Sequence, residues 1–151
     1  MTVRPFRVAL SAGFRKAYGS MTYPSFDLSP LTDASGIETR FLSHEDPIRA
    51  QELEDIDALI LLSERFTKDS IPASGKLSVI ARFGVGFDTV DVEACTQNDI
   101  AVCITPDGVR RPVAVSILTL MLALTGKLLI KDRITRQGPN GFVARNEHMG
   151  L

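Results

Sequence analysis

The stretch Ala81-Arg82-Phe83-Gly84-Val85-Gly86-Phe87-Asp88-Thr89-Val90-Asp91 gathers the residue types best suited to chemistry in this 151-residue chain. Its two glycines let the backbone turn tightly and let a ligand approach, and the amides of Val85 and Gly86 could face an anion near the start of a helix that Asp91 would cap. Arg82, just upstream, offers a planar fork for a carboxylate or, equally well, a partner for Asp88. The plainer reading of the whole stretch is a strand-to-helix turn in which glycine supplies a positive φ. It is not a dinucleotide fingerprint, because the third glycine of GxGxxG would fall at Thr89 and no acidic residue ends a strand at the required distance. Arg110-Arg111 could also attract an anion, although such a pair beside a helix usually forms a solvated face.

Other chemistries find no home. There is no GxSxG, His44 falls in a loop and His148 in a tail, and the acidic groups around Glu52, Glu54 and Asp55 look like a solvated surface. Cys95 and Cys103 lie eight apart without a CxxC or a histidine at ligand spacing, so neither a metal site nor a disulfide is signalled and both read as buried thiols of a reducing compartment. A net charge of −1 provides no field for a polyanion, which argues against a nucleic-acid partner. Near the N-terminus the apolar run Val8-Ala9-Leu10 is too brief for a signal-peptide core, so a cytoplasmic protein is expected.

Positioning these residues requires a scaffold, and the first two-thirds of the chain alternates β-like and helix-like runs. Strands are predicted at 6–10, 37–42, 57–62, 77–83 and 100–104, with crossovers over 26–34, 46–55 and 92–98. The third and fifth runs are continuously apolar, as in parallel strands covered on both faces. The pattern predicts an α/β protein with a flavodoxin-like, doubly wound, parallel five-stranded sheet in the order 2-1-3-4-5. The segment from Gly13 to Pro24 is loop chemistry at the sheet edge where such folds place their sites.

From Pro112 the sequence Val113 to Leu124, continuing through Lys127 to Arg133, predicts one long helix ending at Gly138-Pro139. The apolar run before Lys127 is shorter than a bilayer span of roughly 20 residues, so no membrane role is expected. Ile117, Leu118, Leu120, Met121, Leu122 and Leu124 nonetheless surround the helix, and a helix apolar on every side needs cover on every side. A second domain or a second copy of the chain would supply it. Residues 138–151 show no period and are expected to form a flexible tail.

In combination, the residues 81–91, Ile100-Ala101-Val102, Thr105-Pro106-Asp107-Gly108-Val109 and Ala114 to Leu124 closely resemble the N-terminal region of the D-isomer-specific 2-hydroxyacid dehydrogenases. The likeness is strong from about Leu77 to Arg133 and weaker before it. It implies a flavodoxin-like substrate domain over 1–111 and a helix over 112–137 that packs between domains and at a two-fold dimer interface. It also implies an NAD or NADP domain further along the parent chain, carrying the catalytic Arg, Glu and His. None of those three transfers to a residue here, His148 included. Val85 and Gly86 resemble the positions whose amides hold the substrate carboxylate, with Arg82 adjacent. Ser116 departs from the family, which often has a histidine there.

The resulting expectation is the substrate half of an NAD(P)-dependent dehydrogenase acting on a small 2-oxo or 2-hydroxy acid. It would be homodimeric through the 112–137 helix, without nicotinamide affinity of its own and inactive alone. The alternative is a standalone flavodoxin-like module that binds an organic acid or dimerises without catalysis. An FMN carrier is disfavoured by the absence of Trp, the presence of only two Tyr, and a loop after the first strand that lacks a phosphate cradle.

Overall fold

A computed structural model describes residues 4–43 and 46–149; the expectation for His44 lies outside them. The chain divides into two compact units, Met1–Pro106 and Asp107–Leu151. In the first, strands β1 (Phe6–Leu10), β2 (Ile37–Phe41), β3 (Ala58–Leu61), β4 (Val79–Arg82) and β5 (Ala101–Cys103) form one parallel sheet in the order β2-β1-β3-β4-β5. All four pairings are parallel, with Val8 opposite Ala58, Ala58 opposite Val79 and Val79 opposite Ala101. Strand order and class are those the sequence predicts, with each strand after the first ending one or two residues short of its predicted bounds.

The apolar runs explain the layering. Ala9, Leu59, Leu61 and Ile80 are fully buried on the central strands, packed with Leu53, Ile56, Phe66 and Cys95 from the flanking segments. At roughly 1.5–3 kcal/mol for each large side chain taken out of water, these residues supply the main drive for the unit. The crossovers are shorter than expected. Residues 26–34 contain one helical turn, α1 (Ser29–Thr32), 46–55 contain a 3-10 turn (Ala50–Leu53), and only α2 (Val92–Gln97) fills its predicted segment. Cys103 is exposed, against the expectation of two buried thiols, because β5 is an edge strand whose two end residues remain uncovered. Glu52 and Asp55 are likewise more than solvated charges. The Glu52 carboxylate accepts from the Ser43 backbone N–H at 2.8 Å, and Asp55 pairs with Arg7 at 2.9 Å and Arg40 at 2.7 Å.

The second unit corrects the single-helix expectation. Helix α3 runs Pro106–Thr125, so Pro106 rather than Pro112 occupies the first turn, and Pro112 sits inside the helix. The helix ends where Lys127 takes a left-handed conformation at φ 51°, and α4 (Leu128–Arg136) begins after it. The expected flexible tail instead contains α5 (Pro139–Ala144) and a 3-10 turn (Arg145–His148). Gly141 permits this, since a Cβ there would run into the Ile134 carbonyl of α4. No residue of α3 is buried, and Leu122 and Leu124 are 71% and 76% exposed. At 20 residues α3 is long and apolar enough, by length and composition alone, to cross a membrane, because the helix extends the apolar run back through Arg111, Arg110 and Asp107 to Pro106.

Candidate functional site

The loop between β4 and α2 leaves the carboxyl edge of the sheet and is fastened at both ends. At its start the Phe83 N–H donates to the Leu61 carbonyl at 2.8 Å. The Gly84 N–H reaches the Thr105 hydroxyl at 2.8 Å, and Thr105 returns its own N–H to the Gly84 carbonyl at 2.9 Å. Gly84 has φ 146°, a backbone that side-chain-bearing residues rarely adopt. At its end the Phe66 N–H donates to the Thr89 carbonyl at 2.9 Å, and the Asp91 N–H to the Phe66 carbonyl at 2.8 Å. The Asp91 carboxylate then caps α2 by accepting from the Ala94 N–H at 2.9 Å, as its position before the helix predicts.

Between these fastenings the backbone N–H groups are unspent, although the Phe87 carbonyl accepts from the Val90 N–H at 2.9 Å. Among the described residues none of the amides of 85–89 donates a hydrogen bond within the protein, and Val85, Gly86, Phe87 and Asp88 are exposed. Free N–H groups on a loop tied down at both ends are the equipment that carboxylate recognition needs. Gly86 has no positive φ, and the nearest group to an added Cβ would be the Asp88 carboxylate at 3.3 Å. A conformational reason for glycine therefore applies at 84 and not at 86.

Arg82 does not take the alternative role anticipated for it, as a partner of Asp88. Its Nη1 donates to the Phe83 carbonyl, no contact joins it to Asp88, and its Nε is buried without a partner. The Arg82 guanidinium lies where a Cβ on residue 84 would be, so that flexible side chain would have to move aside for any larger residue there. Arg110 pairs with Asp107 at 3.1 Å on an exposed helix face, the solvated arrangement expected of it.

The sequence did not reveal what supports the loop from below. Phe83 is packed by three rings from the segment after β1: Phe14 edge-on at 5.4 Å, Phe26 edge-on at 5.0 Å and Tyr23 tilted at 5.5 Å. Phe14 also stacks on Phe26 at 5.2 Å. The segment was legible as a loop at the right edge, but its aromatic spacing has no period that betrays a cluster. Glu64 was also missed: it is buried and accepts from the Gly13 N–H at 2.7 Å and the Ser63 N–H at 2.9 Å. A cleft of about 570 Å³ beside Glu64 is lined by Gly13, Arg15, Lys16, Thr22, Ser63 and Arg65, and by no residue of the 81–91 loop.

Perturbed acids lie elsewhere and are structural. Burial pushes the Asp57 carboxyl up, but hydrogen bonds from the Arg4 guanidinium and the Arg7 N–H outweigh it and hold the group below the ordinary carboxylate range. The Arg65 N–H does the same for Asp46. Burial raises the Cys95 thiol, which is inert where it sits. No cluster of metal-ligating side chains occurs among the described residues.

The sequence profile of the D-isomer specific 2-hydroxyacid dehydrogenase catalytic domain matches residues 27–115, more than half of the chain. The chain belongs to this family. The match includes the 81–91 loop and reaches fifty residues upstream of Leu77, into the part where the motifs alone were weak. Among relatives of the 2-hydroxyacid dehydrogenase family, the glyoxylate reductase of Thermococcus kodakarensis is 37% identical over 89 residues, covering 58% of this chain and 27% of that protein. The D-3-phosphoglycerate dehydrogenase of Methanocaldococcus jannaschii is 42% identical over 74 residues, covering 48% and 14%. A solved 2-hydroxyacid dehydrogenase from Ketogulonicigenium vulgare superposes with a TM-score of 0.64 at 26% identity, covering 90% of this chain and 41% of that one. The NAD-dependent formate dehydrogenase of Staphylococcus aureus, solved with NAD, shares the fold at a TM-score of 0.72 and 19% identity, covering 96% and 46%. The chain thus spans less than half the length of the relatives it matches.

Proposed function

We propose that this chain is the substrate-binding part of an NAD(P)-dependent D-2-hydroxyacid dehydrogenase, in which the amides of Val85 and Gly86 hold the carboxylate of a small 2-oxo or 2-hydroxy acid. The observation that carries the reading is the run of unspent amides of exposed residues on a loop fastened at both ends, lying inside the segment that matches the family. Hydrogen bonds from fixed N–H groups to an anion are stronger than neutral ones and need no rearrangement on binding. Arg82 contributes positive charge beside them. A direct fork to the ligand would require its Nη1 to leave the Phe83 carbonyl.

The residues present do not fit a nicotinamide dinucleotide. Nine residues separate the end of β4 from the start of α2, α2 spans only six residues, and Thr89 stands where the third glycine is required, with its hydroxyl buried. A Rossmann site needs a tight glycine turn delivering pyrophosphate to the helix N-terminus. Hydride transfer is therefore assigned to no residue of this chain, and the chain alone is expected to bind the acid without turnover. The reading includes a homodimer in which the uncovered apolar faces of α3 meet a second copy, with Leu120 and Leu124 in the contact. It also includes a substrate domain bounded by the division after Pro106, five residues before the 111 boundary expected from the sequence, and a cytoplasmic location.

Titration calorimetry of the chain with glyoxylate and pyruvate, with acetate and NADH as comparisons, tests the binding assignment. Saturable heat with either 2-oxo acid and none with NADH is expected. Binding of NADH alone would overturn the assignment.

A further inference from the structure

Glu64 is a buried carboxylate that nothing in the proposed binding step uses. It is 6% exposed, and no cation pairs with it among the described residues. Burying an unpaired charge is costly, so its presence calls for a compensating task. That task is visible in its two oxygens: Oε1 accepts from the Gly13 N–H at 2.7 Å, and Oε2 from the Ser63 N–H at 2.9 Å. A carboxylate can accept at both of its oxygens. A glutamine would turn an NH2 group toward one of two N–H donors. The fit is close, since a Cβ on Gly13 would lie 2.8 Å from Oε1. The same strap is stitched twice more, by the Thr22 hydroxyl on the Gly13 carbonyl at 2.6 Å and the Ser11 hydroxyl under the Leu62 N–H at 3.0 Å.

What Gly13 fixes is Phe14, the next residue, fully buried and edge-on to Phe83. Phe83 in turn is the residue before Gly84. We infer that Glu64 is a positioning residue for the carboxylate-binding loop, setting the place of Gly84–Gly86 through Gly13, Phe14 and Phe83. The inference rests on the proposed role of Val85 and Gly86 for its effect on affinity, but not for its effect on the loop itself. Packed side chains coupled in this way shift a distant site only if they have few alternative arrangements, and a ring held between three others has few.

The test uses the whole chain with Glu64→Gln, Phe14→Leu and the double variant. Backbone 15N order parameters are read at 84–86, with α2 as an internal reference, and glyoxylate affinity is read in parallel. Lower order parameters at 84–86 in both single variants, unchanged values in α2, and a loss of affinity of about fivefold are expected. The double variant should lose less than the product of the single losses, because both act along one path. Unchanged order parameters at 84–86 in Glu64→Gln, with only a lower urea midpoint, would overturn the inference and leave the carboxylate site standing. If wild-type chain binds no 2-oxo acid while the order parameters fall as expected, the positioning contact survives and the proposed function fails. Should Phe14→Leu not fold, Gly13→Ala, which displaces Oε1 from the other side, takes its place with the same expected readings.

Discussion

Replacing Gly84 by alanine isolates the physical argument for the loop. Two separate costs follow from the structure. The first is conformational: a residue with a Cβ at φ 146° leaves the well-populated regions, which costs roughly 1–3 kcal/mol. The second is steric, because the new Cβ would occupy the space of the Arg82 guanidinium, which must give up its bond to the Phe83 carbonyl. Losing a hydrogen bond from a charged donor costs about 1.5 kcal/mol. Together the two come to about 3 kcal/mol. With a urea dependence of about 1.5 kcal/mol per molar, the unfolding midpoint should fall by about 2 M. Both tyrosines, Tyr18 and Tyr23, precede residue 107, so their fluorescence reports the first unit alone. In an Arg82→Ala background the same change should cost only the conformational part, about half as much. Gly86→Ala is the contrast, with no positive φ and open space apart from Asp88, and should stay within about 0.5 kcal/mol of wild type. A Gly84→Ala midpoint within about 0.3 M of wild type would refute the reasoning.

Four further outcomes are expected. Leu59→Ala, at a fully buried site on the central strand, should cost about 2–5 kcal/mol in the same urea assay. Asp91→Ala removes the cap of a six-residue helix and should cost about 1 kcal/mol, read as loss of amide protection at Ala94. Asp57, whose folded-state carboxyl is held below its ordinary range, stabilises the unit fully above about pH 4, and that contribution is lost as pH falls through the depressed folded value. Acid titration of Asp57→Asn should therefore show a shallower loss of stability below pH 4 than wild type, and equal slopes would contradict this. Leu120→Glu should convert a dimer to a monomer in sedimentation velocity, whereas a wild-type monomer at micromolar concentration would remove the proposed interface.

The sheet was legible because parallel strands covered on both faces need continuous apolar runs, and Ala58–Leu61 is one. Its order followed from short right-handed crossovers, and the 81–91 loop from two glycines placed between a strand and a capping Asp91. The boundaries of α3 were misread because Pro112 satisfies the rule for a first helical turn, yet Pro106 satisfies it too and six residues earlier. The break at Gly126-Lys127 was hidden for the opposite reason: a lysine in a left-handed conformation leaves no residue-type signature. Glu64 and the Phe14–Phe26–Phe83–Tyr23 cluster could not be read from local pattern, since Glu64 lies 51 residues from Gly13 and Phe83 lies 57 to 69 residues from its three rings, and these meet only once the sheet has formed.

The central claim is that the Val85 and Gly86 amides receive a substrate carboxylate. A titration of 15N-labelled chain with glyoxylate, followed at assigned backbone amides, examines those two N–H groups directly. Saturable downfield shifts largest at Val85 and Gly86, falling away beyond residues 84–89, are predicted. No shift there, or a larger one elsewhere on the chain, would contradict the account.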